Sequence, residues 1–310
     1  LLKISTFTAL TALCLSLFAT STAAAQSSRA GSAAAAAAMR ASDQALDRTR
    51  LEQRERQDSI RAKYKSPQET VAAAQAALTA AGKTCIVTEA ALISLSETGD
   101  SFEAVCQTGP GYALIASTPP QTFDCVILAG QADLLRSRDP NAEVGTLCNL
   151  PANQNADAVI KAYATEARVP CTVERAGFVG HSPEGAPIYE ASCPQSDGYW
   201  FSQSAGAWKT VECLEVMKDG GVCRMTTPEV QAAALQAKLV GTPAAGCNVQ
   251  QAAFLGQNAN GRFYEAKCGA GGGLVVRVKD GAAEQTYGCA DARHIGGGCT
   301  LTAVPPEDLE

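Results

Sequence analysis

The sequence predicts an α+β protein of three tandem disulfide-stapled repeats, each one N-terminal helix followed by a small antiparallel β-sheet. Three observations carry this. A short element recurs as Cys85-x-Val87-x-x-Ala90, Cys171-x-Val173-x-x-Ala176 and Cys247-x-Val249-x-x-Ala252. An aromatic-Glu-Ala-x-Cys element follows each copy, at Phe102 to Cys106, Tyr189 to Cys193 and Tyr264 to Cys268, with a glycine five residues later at Gly111, Gly198 and Gly273. All 13 cysteines except Cys14 fall inside these repeats, four to each.

Each repeat opens with a helix. Ser66-Pro67-Gln68-Glu69 combines a capping serine, a proline suited to the first helical position and a glutamate that completes a capping box. Val71, Ala74, Leu78 and Ala81 recur at helical spacing, and Gly82 stops the run. In the second copy Asn153 or Asn155 opens a helix through Val159, Ile160 and Tyr163, ended by Val169-Pro170. In the third, Thr226 to Glu229 opens one toward Leu239 and Gly241.

Short strand-like runs separated by turn residues follow each helix. In the second copy they are Cys171 to Val179, Pro187 to Cys193, Gly198 to Phe201, Trp208 to Leu214 and Val222 to Met225. The first cysteines lie 86 and 76 residues apart, a period that fits small tandem domains better than a thin solenoid.

The first and second cysteines of each copy stand 21, 22 and 21 residues apart and flank a predicted hairpin. The third and fourth stand 10 apart in the second and third copies and are read as flanking another. Sequence alone leaves three connectivities per repeat. Hairpin closure favours Cys85–Cys106, Cys125–Cys148, Cys171–Cys193, Cys213–Cys223, Cys247–Cys268 and Cys289–Cys299. By loop-closure entropy each such bond contributes about 3 kcal/mol. Large core side chains are scarce, with 46% hydrophobic residues but only 5% aromatics, so the support matters.

Ahead of the repeats, Lys3, the apolar run Phe7 to Phe18 and Ala23-Ala24-Ala25 read as a secretory signal at 1–25. The rival reading, a membrane anchor, is disfavoured because the run is shorter than the ~20 residues that span a bilayer. Residues 26–65 read as a low-complexity tether followed from Ser42 or Asp43 by a charged helix without a continuous apolar stripe. The modules then occupy 66–151, 152–225 and 226–310, the last with an acidic tail. An even cysteine set in an exported chain points to disulfides and a periplasmic or secreted protein. Zinc is disfavoured, because no C-x-x-C pair occurs and the histidines are only His181 and His294.

Charge excludes one class of partner. Residues 1–66 carry 10 Lys/Arg against 5 Asp/Glu, and the remainder 15 against 26. Nucleic acid would need a basic face, which the acidic body lacks.

Catalytic sets are hard to assemble. Glu103, Glu190 and Glu265 alternate away from their aromatic and alanine neighbours on a strand, so they are expected to face solvent or a sheet edge. Gly180-His181-Ser182-Pro183-Glu184-Gly185 sits between strands and lacks the spacing of a serine elbow. Gly269 to Gly273 leads into a strand, not a helix, and reads as a turn rather than a phosphate loop. No catalytic residue, cofactor or metal site is therefore assigned.

Binding residues are sought where the copies differ. The first repeat holds 13 extra residues between Cys125 and Cys148, and the excess stretch Ala129 to Val144 includes Leu134 and Arg136. It is either a surface insertion or a partner-binding loop. The second repeat concentrates Tyr199, Trp200 and Trp208, with Tyr199 and Phe201 on one face and Trp200 on the other. In outline the repeats resemble secreted β-lactamase-inhibitor proteins and periplasmic PepSY-type modules. That likeness covers the helix-plus-sheet plan and reaches no functional residue. The expected function is non-enzymatic: a binding or structural protein of a bacterial envelope whose partner is another envelope or extracellular protein, or a glycan. The alternatives are a cell-wall or polysaccharide hydrolase and an inhibitor of a secreted enzyme.

Overall fold

The computed structural model describes residues 24–304. The chain divides into two compact units, Leu1–Lys63 and Tyr64–Glu310. The predicted signal peptide lies outside the described residues except for its last two. In the first unit a single helix α1 spans Ala24–Lys63. It replaces the expected flexible tether, and the reason is composition: the run of six alanines after Ser32 is the best helix-forming material a sequence offers. Met39, Leu46 and Leu51 on α1 are exposed, in keeping with the missing apolar stripe. Among the described residues no helix is long and apolar enough to cross a membrane.

The second unit contains the three copies. The first is α2 (Pro67–Ala80), β1 (Val87–Ser94), β2 (Ser101–Cys106), β3 (Tyr112–Ile115), β4 (Gln121–Asp124) and α3 (Cys125–Arg136). The second is α4 (Ala156–Glu166), β5 (Arg175–His181), β6 (Pro187–Ser192), β7 (Tyr199–Ser204), β8 (Ala207–Glu212) and α5 (Cys213–Lys218). The third is α6 (Pro228–Leu239), β9 (Val249–Asn258), β10 (Gly261–Cys268), β11 (Gly272–Lys279) and β12 (Ala282–Gly288). Each sheet is a four-stranded antiparallel meander in sequence order, so β1, β5 and β9 are edge strands.

The helix starts follow their signals. Ser66 accepts the Glu69 N–H, and the Glu69 carboxylate reaches back to the Lys65 N–H. Asn155 caps α4 and Thr227 caps α6, each through the N–H three residues on. One side of each helix then covers one face of its sheet. Ala74, Ala77 and Leu78 pack on Val87, Phe102, Ala104 and Leu114. Ala232, Leu235 and Leu239 meet Phe254, Tyr264 and Val276 in the third copy. Alanine on the helix lets it approach a sheet that supplies the bulk. A glutamine nine residues past the cap ties helix to strand in two copies: Gln75 bonds Cys85 O and Val87 N–H, and Gln236 bonds Ala245 O and Val249 N–H. Ala164, buried, stands there in the second copy.

The six disulfides join first to second and third to fourth cysteines in every copy, and none crosses between copies. The segment between the third and fourth cysteines differs from expectation. It is a helix in two copies, not a hairpin, because the chain turns at the end of the fourth strand. Asp124 accepts the Val126 and Ile127 N–H groups there and nucleates α3. The extra residues of the first copy lengthen this helix to 12 residues, against 6 in α5, and continue as a loop.

These helices stack the copies. Val126, Ile127 and Leu134 of α3 join the core formed by Ile160, Ala176, Phe178 and Tyr189 of the second copy. Leu214 of α5 joins the third core in the same way. In the third copy the segment from Cys289 forms turns. There Ala292 and Ile295 fold onto Leu255, Phe263 and Val275. At the first junction a Cβ on Gly130 would stand 2.5 Å from the Phe178 Cβ, so α3 touches β5 at a glycine. Gly130→Val is expected to cost about 1–3 kcal/mol by overpacking. Chemical denaturation followed by tryptophan fluorescence checks this, since Trp200 and Trp208 both lie in the second copy.

Candidate functional site

The repeated glutamates are not at the surface. Glu103, Glu190 and Glu265 are 3%, 0% and 0% exposed, which corrects the solvent-facing expectation. Strand alternation does turn them away from the helix-covered face, but the chain beyond the third cysteine returns across the opposite face and covers them. Cross-strand pairing sets Glu190 beside Trp200 and Glu265 beside Val275 on that face.

Each carboxylate holds the segment that follows the fourth cysteine. Glu190 accepts the backbone N–H groups of Arg224 (2.8 Å), Met225 (2.7 Å) and Thr226 (3.1 Å). Glu265 accepts those of Thr300 (2.6 Å), Leu301 (2.9 Å) and Thr302 (2.9 Å). Glu103 accepts Asn149 N–H (2.7 Å) and Leu150 N–H (2.8 Å). The next residue is Pro151, which has no N–H to give. Asn153 Nδ2 supplies the third bond at 2.9 Å.

The signature glycine belongs to the same device. A Cβ on Gly111 would lie 1.9 Å from Asn153 Oδ1, one on Gly198 1.8 Å from Thr226 Oγ1, and one on Gly273 2.1 Å from Thr302 Oγ1. The tail held by the glutamate is therefore pressed against the third strand, and only glycine leaves room. Beside each carboxylate sit the sulfurs of the nearby disulfide, as in Glu103 with Cys125 and Cys148. Three donor atoms converge there, but the sulfurs are bonded to each other and are not thiolate ligands. The most regular feature of the sequence is a structural clasp.

The residues nominated for binding are spread apart. Trp208 packs on Tyr163 and Phe201 with ring centroids 5.8 Å away in each case. Tyr199 lies at the junction with the third copy, and burial, then the charges of Glu212 and Asp197, pushes its hydroxyl up to about 12. Trp200 is half-buried against Val216 and Gly221, on the glutamate face. Leu134 and Arg136 lie on α3, Leu134 lining a cleft and Arg136 exposed outside it. The five do not form one surface.

The cleft has a volume of about 750 Å³. It lies between the first and second copies. Val126, Gly130, Ile160, Phe178 and Met225 provide apolar lining, while Asp133, Ser137, Asn155, Asp157, Arg175 and Arg224 supply the polar groups. Asp157 is already engaged, bonding the Ala176 N–H at 2.8 Å and Lys161 at 2.7 Å, and these partners hold its carboxyl below the usual range against the opposing effect of burial. Arg224 Nη1 reaches Ser137 Oγ at 3.5 Å and so bridges the two copies.

A second polar cluster stands between the second and third copies. Asp197 accepts Leu214 N–H at 2.8 Å and Gln231 Nε2 at 3.2 Å. Glu212 takes the Tyr264 hydroxyl at 2.5 Å, and Arg262 binds Glu212 at 3.2 Å and Glu215 at 2.7 Å. The space beside them is about 30 Å³, room for one water. No family model, curated protein or solved structure matches this chain, so the architectural likeness noted in the sequence carries no function to it.

Two measurements follow from these geometries. Glu190→Gln puts an NH2 group where the carboxylate accepts N–H groups, and is expected to destabilise by about 2–4 kcal/mol in denaturant titration. A solvent-facing glutamate would change stability by less than ~0.5 kcal/mol. Asp197 titrates at about 6, raised mainly by burial above its ordinary 3.8. Its folded form holds the proton more tightly than the unfolded chain, so its ionisation costs stability above about 6 and the cost is relieved as pH falls from 6 towards 3.8. Measured against Asp197→Asn, whose side chain does not titrate, wild type should lose stability as pH rises from about 4 to about 7.

Proposed function

We propose that this chain is a non-enzymatic binding protein of an oxidising, extracytoplasmic compartment, periplasmic or secreted, and that its binding site is the cleft between the first and second copies. The partner is another envelope or extracellular protein, or a glycan, carried in a rigid groove rather than transformed. The observation that carries this reading is the cleft itself. Its volume falls in the range of ligand sites, ~300–1,000 Å³, and it combines an apolar floor with a few polar groups. It also lies where the copies diverge, because Asp133, Leu134 and Ser137 come from the elongated part of the first copy.

The compartment rests on six disulfides in small modules. The non-enzymatic reading rests on how the acids are used. Glu103, Glu190 and Glu265 hold backbone, Asp197, Glu212 and Glu215 are met by internal donors beside a space for one water, and of the two carboxylates that line the cleft, Asp133 and Asp157, the second is bonded to the Ala176 N–H and to Lys161. A hydrolase working by two carboxyl groups needs substrate between them. An inhibitor presenting an exposed aromatic face is less well supported, since Tyr199 and Trp208 pack inside the array.

The test is Ala129→Trp, which fills the cleft from α3. Thermal-shift screening of the full chain against panels of envelope peptides, glycans and acidic lipids should find a class that raises Tm for wild type and leaves the variant unmoved. A ligand that stabilises both equally would place binding elsewhere. Turnover of a cell-wall or polysaccharide substrate would overturn the non-enzymatic reading.

A further inference from the structure

Resting on the cleft as the binding site, we propose that its ligand class is an acidic peptide, lying extended along β5 with a carboxylate between Arg175 and Arg224. The first reason is charge. The chain beyond residue 66 carries 26 Asp/Glu against 15 Lys/Arg, yet the cleft lining sets Arg175 and Arg224 against Asp133 and an Asp157 that is already paired with Lys161. The two arginines are peculiar to the second copy. The positions of Arg175 hold Glu89 and Gln251 in the others, and those of Arg224 hold Asn149 and Thr300. Both arginines are exposed at the rim. The clasp fixes the backbone of Arg224 through Glu190 and so aims this residue, while β5 fixes Arg175. Guanidinium groups recognise carboxylates by paired N–H donors, with geometry that lysine does not offer.

The second reason is backbone. β5 is the edge strand of its sheet and contributes five consecutive residues, 175 to 179, to the wall. The N–H of Ala176 faces away from β6 and already meets an oxygen, Asp157 Oδ1. Strand alternation turns the N–H and C=O of Phe178 the same way. With the Ala176 N–H taken by Asp157, an extended peptide would pair with the Ala176 C=O and with the N–H and C=O of Phe178, and apolar side chains at alternate positions would meet Ile160, Phe178 and Met225. A glycan offers neither the regular main-chain pairing nor the apolar alternation.

The experiment is fluorescence anisotropy with the full chain and a fluorescein-labelled decapeptide of alternating valine and glutamate, compared with the same peptide carrying glutamine. The acidic peptide should bind at least about tenfold more tightly than the glutamine version. Arg175→Glu with Arg224→Glu should abolish that difference, and Arg136→Glu, on α3 but outside the cleft, should preserve it. Circular dichroism and Tm report whether the double variant folds; if it does not, Arg175→Gln alone should still reduce the preference by several-fold. Equal binding of the two peptides, or a preference untouched by the arginine variants, overturns the proposal. So does binding of glycans or acidic lipids, blocked by Ala129→Trp, without binding of the acidic peptide; that outcome leaves the cleft standing as the site. Loss of all cleft-dependent ligands would instead sink the site.

Discussion

A buried carboxylate that accepts three N–H groups is the interaction on which each copy depends. A four-stranded meander with one helix covers only one of its faces, and a small sheet with a bare face is short of burial. The chain solves this by returning across the second face after its fourth strand. A returning segment with little regular structure has unpaired N–H groups, which are costly to bury. One glutamate on the second strand satisfies them together, the adjacent disulfide limits how far the segment can depart, and the glycine on the third strand admits it. Cystine, carboxylate and glycine are thus parts of one clasp rather than three separate motifs. A carboxylate suits the position because it is an acceptor only, and charge-assisted bonds are the strong kind.

The same returning segment links the copies. In the first two it is helical and contributes Val126 and Leu214 to the next core, so each copy helps to complete its successor. In the third it folds back onto Leu255 and Val275 of its own copy. Coupling through shared cores explains how copies poor in large side chains form one compact unit from Tyr64 onward. It also explains where a cleft can arise. The longer helix at the first junction supplies Asp133 and Leu134 to the cleft wall, and the length of α3 is set by the extra residues between Cys125 and Cys148.

Much of this was legible in the residues. The helix starts at Ser66 and within Thr226 to Glu229, the small antiparallel sheets and the within-copy cysteine pairing all follow from local signals: cap chemistry, strand alternation and loop closure. What escaped was non-local. Alternation correctly turns Glu190 away from the helix, but nothing within ten residues of it announces that Arg224 to Thr226 will lie over it. The hairpin expected between Cys213 and Cys223 failed for a similar reason, since a short apolar run reads equally as strand or helix, and the next copy's core selects helix. A subtler sign was present in Pro151. It occupies the place of Thr226 and Thr302, and its missing N–H required a substitute, which Asn153 provides. Arg175 and Arg224 likewise stood out only once the copies were aligned, as basic residues where the other two copies have none.

The central claim is that the clasp, not the strands alone, fixes the second face of each sheet. Native-state amide hydrogen exchange measures this most directly, because Arg224, Met225 and Thr226 lie outside any helix or strand. If Glu190 holds them, their amides should exchange as slowly as those of the central strands β6 and β7. Exchange at the rate of an exposed loop, with β6 and β7 still protected, would contradict the account.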